Sequence, residues 1–145
     1  MVLNWIADFL SNRKQRVVVH GTFSEWSQVT GGVPQDSVLG PTLFIIYVND
    51  LPDCVQSYMG IFADDTKIYR PIISPTDYNI LQSDINSVLQ WCDIWLSFLN
   101  YSKCHYNSIG PALSDRQYYL YTDDDTHPIS FVLIEKDLGL RLIKI

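Results

Sequence analysis

Charge is scarce in this chain, and basic charge scarcer still. Only 18% of its 145 residues are charged, ten basic against sixteen acidic, for a net charge of −6 and a pI of about 4.7. Proteins that hold phosphate backbones usually carry basic patches, so composition alone votes against a polynucleotide-binding surface. Cysteine is sparse too: Cys54, Cys92 and Cys104 form no CxxC pair. That scattered, odd-numbered set provides neither a disulfide framework nor a zinc site and fits a reducing, intracellular compartment, nuclear or cytoplasmic. The start, Met1-Val2-Leu3-Asn4-Trp5, lacks a basic segment leading into an apolar one, so no signal peptide is expected. The longest apolar run, around Val38 to Val48, is short for a membrane span and broken by Gly40 and Pro41, so no membrane partner is expected. Internal repeats, low-complexity tracts and linkers are also missing. What the chain has in quantity is apolar side chains, 47% of the total. That share suits a folded globular protein, and the length suits one domain's core.

The pattern predicts an α+β protein. Leu3, Ile6, Ala7 and Leu10 fall at helical spacing within Val2 to Leu10, and Ser11-Asn12 ends that helix. A basic cluster follows, Arg13, Lys14 and Arg16. Gln15 to His20 then reads as a strand, Gly21 to Ser24 as its turn, and Glu25 to Thr30 as the return with Trp26 on one face. Gly31-Gly32 breaks the hairpin. Asp36 or Ser37 is placed to cap a helix marked by Leu39, Leu43, Ile46 and Tyr47, with Pro41 in its first turn. Ser74-Pro75-Thr76-Asp77 is a third helix start. Leu81, Ile85, Val88, Leu89, Cys92, Trp95, Leu96 and Leu99 trace one apolar face behind it, down to a turn at Asn100 to Cys104. Ile85, Leu89 and Trp95 are expected to be buried. Tyr118 to Thr122 reads as a strand and Asp123 to Asp125 as an acidic turn. Phe131 to Glu135 and Leu138 to Ile145 read as a closing hairpin around Lys136 to Gly139.

Between the second and third helices stands Gly60-Ile61-Phe62-Ala63-Asp64-Asp65-Thr66-Lys67-Ile68-Tyr69. Asp disfavours strand interiors, so two of them between strand-like runs mark the tip of a hairpin. An exposed tip keeps both carboxylates in water, where charge costs little, and their oxygens suit a hard cation such as Mg²⁺. Alone, the pair reads as an acidic turn. Upstream, however, stands Gly32-Val33-Pro34-Gln35-Asp36-Ser37-Val38-Leu39-Gly40-Pro41, leading into Thr42 to Pro52; downstream stands Asn100-Tyr101-Ser102-Lys103-Cys104. In this order the set resembles the reverse transcriptases of non-LTR, LINE-type retrotransposons. In that family a Gly-x-Pro-Gln-Gly-Ser-x-Leu-Gly-Pro stretch precedes a helix, and a Phe/Tyr-Ala-Asp-Asp hairpin follows. The resemblance runs on to Lys136 to Gly139.

The resemblance implies an antiparallel sheet with packed helices. Residues 1–110 would be part of a polymerase palm, and 111–145 its edge leading towards a thumb, with fingers and thumb missing. It implies RNA-directed DNA polymerase activity in the parent enzyme, with RNA template, DNA primer and deoxynucleoside triphosphates as partners. Nucleotidyl transfer there needs two Mg²⁺ ions about 4 Å apart, bridged by several carboxylates. Asp64 matches the principal hairpin ligand and Asp65 the more peripheral one. Lys103 matches a lysine near the departing pyrophosphate, and as a lone lysine it equally reads as surface. Gln35 matches the side chain beside the templating base pair. Arg13, Lys14 and Arg16 read either as a solvated helix end, favoured by the helix dipole, or as contacts to template or primer phosphates. The family's other catalytic carboxylate lies on an earlier strand, expected to precede Met1, so the chain alone is expected to be inactive. A non-catalytic palm remnant binding nucleic acid or protein, or a degenerate reading frame without a selected role, are the alternatives. The family has Gly where this chain has Asp36, a departure that puts a negative charge near phosphates and counts against activity.

Overall fold

The computed structural model describes residues 1–110, 116–122, 125–137 and 140–143, the last two strands by their backbone. The chain divides into two compact units, Met1–Asn49 and Asp50–Ile145.

The first unit opens with helix α1 (Val2–Leu10), where Trp5 stacks on Phe9 at 5.7 Å between ring centroids. Two short ladders follow. Strand β1 (Lys14–Gln15) pairs antiparallel with β4 (Ser27–Gln28), and β2 (Val18–Val19) with β3 (Thr22–Phe23). They are one hairpin interrupted at Arg16-Val17, where the return strand carries an extra residue, as in a β-bulge. Ser24 bridges the interruption: its backbone N–H donates to the Val17 carbonyl at 3.0 Å, and its Oγ accepts from the Val17 N–H at 2.9 Å. The turn lies at His20-Gly21, earlier than the sequence suggested, because both residues adopt positive φ (47° and 80°). A two-residue primed turn demands that, and it leaves Thr22 and Phe23 free to pair. Helix α2 (Gly40–Val48) starts on Ser37, whose Oγ accepts from the Gly40 N–H at 3.0 Å while its hydroxyl donates to the Pro34 carbonyl at 2.7 Å. A Cβ on Gly40 would lie 2.9 Å from that same Oγ and 3.0 Å from the Pro34 carbonyl, so the packing requires glycine. Along α2 the partly covered positions are Leu43, Phe44, Tyr47 and Val48, whereas Ile46, expected on that face, is exposed.

The second unit is assembled on helix α3 (Pro75–Trp95), which begins as the sequence indicated, with Ser74 and Asp77 as reciprocal capping partners. Before it come a 3-10 turn (Leu51–Cys54) and the antiparallel pair β5 (Tyr58–Phe62) and β6 (Asp65–Tyr69). After it come a 3-10 turn (Tyr101–Lys103) and strands β7 (His105–Tyr106), β8 (Tyr119–Tyr121), β9 (Thr126–Pro128) and β10 (Ser130–Phe131). β8 pairs antiparallel with β9, and β10 runs parallel to β7. A closing hairpin is present as β11 (Ile134–Asp137) against β12 (Leu140–Ile143), but its first strand starts later than the sequence placed it: Phe131 belongs to β10, and Lys136 and Asp137 are paired strand residues. The fold is mixed α+β, but among the described residues the strands form two-stranded ladders and not one continuous sheet. The Asp123-Asp124 part of the acidic turn and the Leu138-Gly139 tip lie outside the described residues.

The core joins Tyr78 and Leu89 of α3 to Tyr118, Leu120 and Ile129, with Leu81, Ile85 and Tyr106 packed around it. Tyr106 meets the Tyr118 ring edge-on at 5.1 Å, a favourable aromatic geometry. Trp95 is not part of this core; it is 45% exposed, and Trp91 is the buried tryptophan. Trp95 is the last residue of α3, which stops where Leu96 adopts φ 56° and the Ser97 N–H returns to the Cys92 carbonyl at 2.8 Å; beyond that stop Leu96 is exposed while Leu99 still packs against the core.

Candidate functional site: the acidic tip of the β5–β6 hairpin

Five cross-strand pairs, from Tyr58 with Tyr69 to Phe62 with Asp65, bring the chain to a two-residue turn. That turn is Ala63-Asp64, one position earlier than the sequence placed it, so Asp64 sits at the tip and Asp65 opens the returning strand. Ala63 carries φ 51° and Asp64 does not share it, the φ pattern of a type II′ turn, whose first central position favours glycine. Both aspartates are exposed.

Side chains of α3 tie both ends of this hairpin. Asp84, 2% exposed, accepts from the backbone N–H groups of Gln56 and Ser57, each at 2.9 Å, just before β5. Two helical turns earlier, Asp77 accepts from the Arg70 guanidinium at 2.9 Å, just after β6. Its other oxygen takes the Ser74 N–H at 2.8 Å and the Ile73 N–H at 3.1 Å. The Ser74 N–H above all, then Arg70, holds this carboxyl down at about pKa 2. The Trp91 indole adds a third tie, donating to Asp50 at 3.1 Å. Sequence reading missed Asp84, although an acid between Leu81 and Ile85 on an apolar face was a visible signal.

The other expected site residues are placed as follows. Lys103 is exposed in its 3-10 turn and pairs with no carboxylate among the described residues. Gln35 is exposed in the loop before α2, beside Asp36 at φ 58°, the left-handed region that glycine enters freely. Lys14 and Arg16 are exposed on the interrupted hairpin of the first unit. Arg13 is engaged internally: its guanidinium donates to the carbonyls of Leu10 at 2.9 Å, Gly31 at 3.1 Å and Gly32 at 2.5 Å. Within the second unit, Asp64 and Asp65 are neighbours on one hairpin. Among the described residues no group of three aspartate, glutamate, histidine or cysteine side chains gathers as metal ligands would. Asp64 and Asp65 are the residues whose carboxylate oxygens could hold a hard cation such as Mg²⁺. Burial pushes all three thiols up, Cys92 to about 11, which keeps them protonated and poor ligands. A cleft of about 430 Å³ lined by Leu89, Cys92, Phe98, Tyr101 and Tyr121 lies apart from the tip and includes neither acid.

Comparison with known proteins agrees with the motif order. The profile of the family described as reverse transcriptase (RNA-dependent DNA polymerase) matches residues 1–132. The RNA-directed DNA polymerase from mobile element jockey of Drosophila melanogaster is 32% identical over 110 residues, covering 68% of this chain and 12% of that protein. Its counterpart in Drosophila funebris is 30% identical over 121 residues, 76% of this chain and 13% of that protein. The probable RNA-directed DNA polymerase from transposon X-element of Drosophila melanogaster is 31% identical over 104 residues, 68% of this chain and 12% of the other. The chain thus spans about an eighth of the length of these relatives. No solved structure matches it.

Proposed function

The chain belongs to the reverse transcriptase family, and from that premise we propose that it is palm sequence of a retrotransposon RNA-directed DNA polymerase. Residues 1–110 form the palm portion and 111–145 its edge on the thumb side. The observation that carries this reading is the Asp64-Asp65 pair at the tip of an antiparallel hairpin anchored at both ends. Asp64 is the principal ligand of a catalytic Mg²⁺ and Asp65 the peripheral one. When bound, the ion polarises phosphoryl oxygens of a deoxynucleoside triphosphate. Lys103 contributes an ammonium group that offsets charge on the departing pyrophosphate. The Gln35 amide, donor and acceptor at once, lies beside the templating base of an RNA strand paired to a DNA primer. The negative charge of Asp36 in that loop lowers affinity for the phosphates there.

Manganese tests the metal assignment, because Mn²⁺ replaces Mg²⁺ at carboxylate sites and broadens nearby NMR signals. Titrated into the labelled chain, Mn²⁺ should broaden the amide signals of Ala63 to Thr66 first, and Asp64→Asn should abolish that preference. Broadening that ignores the hairpin, or survives in Asp64→Asn, would remove the pair as a metal site.

A further inference from the structure

The three clustered bases are not equivalent. Arg13 spends its guanidinium on three carbonyls inside the first unit. Arg16 instead sets its guanidinium carbon over two aromatic rings, 4.1 Å from the Phe23 centroid and 4.6 Å from that of Trp26. Among the described residues no acceptor takes its five N–H donors. Both rings are themselves open to solvent, Phe23 at 56% and Trp26 at 58%. The interruption of the hairpin creates this slot, since it sets Arg16 on one strand opposite the extra residue of the other. Lys14 stands two residues before Arg16, and Glu25 is the one acid between Arg13 and Thr30.

We propose that Arg16, Phe23 and Trp26 form a docking post for single-stranded nucleic acid. The Arg16 fork binds a phosphate, and the exposed face of Trp26 stacks a neighbouring base. The chemistry supports this occupant. A guanidinium pinned by aromatic stacking keeps its planar donors aimed outward, so less side-chain entropy is lost when a phosphate arrives. Aromatic faces beside a cation accept any base without sequence preference. The local charge is favourable although the whole chain is acidic: residues 1–49 hold Arg13, Lys14 and Arg16 against Asp8, Glu25 and Asp36, so the net −6 resides entirely in residues 50–145. The proposal rests on the reading of the chain as polymerase palm and assigns the grip on the strand to Arg16, with Arg13 a structural staple.

The test is fluorescence anisotropy of labelled oligo(rU) with the full chain at several salt concentrations, with circular dichroism showing that each variant folds. Arg16→Ala should weaken binding on the order of tenfold and lower the slope of log affinity against log salt by about one. Trp26→Ala should weaken it between about fivefold and a hundredfold. Arg16→Lys, which keeps the charge but loses the fork, should keep the slope and lose part of the affinity. Parental affinity in both alanine variants, no binding by the parent chain, or equal binding of a poly-glutamate peptide would each overturn the post. These outcomes are independent of the manganese result: loss of the hairpin signal would remove the Asp64-Asp65 metal site without touching the anisotropy curves.

Discussion

At the scale of single residues, the informative side chains are carboxylates that accept backbone N–H groups. Asp77 is the clearest. Its carboxyl is held at about pKa 2, below the ordinary aspartate range, so the folded state favours its ionised form. The stability this contributes is fully present above the unfolded value and disappears as pH falls through the folded one, between roughly pH 4 and pH 2. Denaturant midpoints measured across that window should therefore fall less steeply for Asp77→Asn than for the parent chain, with the variant less stable at neutral pH. Parallel curves would mean that the Ser74 and Arg70 contacts do not distinguish the charged form. Asp77 was legible in the sequence because a Ser-Pro-x-Asp start carries its own capping logic. Ala63 was not, since nothing in its neighbours announces that the two-residue turn begins there and not at Asp64.

At the scale of elements, α3 sets the order. Polar residues on it grip backbone on several sides: Asp84 holds the approach to β5, and the Gln82 amide both donates to the Tyr119 carbonyl at 2.7 Å and accepts its N–H at 2.9 Å. Between them runs the apolar stripe, with Leu89 at its centre. Leu89→Ala should cost about 2–5 kcal/mol, as truncation of a buried leucine does. Trp95→Ala should cost about 1 kcal/mol, because that ring is half exposed, with the Trp91 ring 6.0 Å away. Urea unfolding separates the two; equal losses would mean that the helix face is assigned wrongly. Periodicity found this helix and its start, because helical spacing is a local property. It extended the stripe to Leu99, because spacing alone cannot see the left-handed residue that stops the helix. Nor could it see that Asp84 would be the most buried side chain among the described residues, which depends on the Gln56-Ser57 segment packing beside it.

At the scale of the molecule, burial is uneven. Every buried hydrophobic side chain among the described residues lies between Leu51 and Ile129, whereas in the first unit only Gly40 is buried. Family and class were legible from motif order, since the spacing of the Gln35 loop, the Asp64-Asp65 pair and the Lys103 turn survives however the strands pair. Strand pairing was less so. His105 of β7 meets Ser130 of β10 although β8 and β9 lie between them in the chain, and a parallel pair leaves no local turn signal to announce it. Catalysis is likewise a property of the whole carboxylate set. Among the described residues no group of three potential metal ligands gathers, and loss of a metal-bridging group costs on the order of several kcal/mol in the transition state, or several powers of ten in rate. Primer extension on poly-rA/oligo-dT with Mg²⁺ or Mn²⁺ should therefore give background incorporation, equal in the parent and in Asp64→Asn. Extension by the parent that the variant abolishes would show that a third ligand is supplied.

The left-handed backbone at Asp36 has a consequence for how this sequence changes over generations. The loop before α2 holds φ 58° with an aspartate in place, a conformation that costs an ordinary L-residue roughly 1–2 kcal/mol and glycine almost nothing. Aspartate and glycine codons are separated by a single base change. The step between them therefore asks for no rearrangement of the loop, and the strain it relieves is partly offset by the larger freedom of glycine in the unfolded chain. Exchange of Asp36 for glycine is thus expected to remove a charge while leaving the backbone its left-handed conformation.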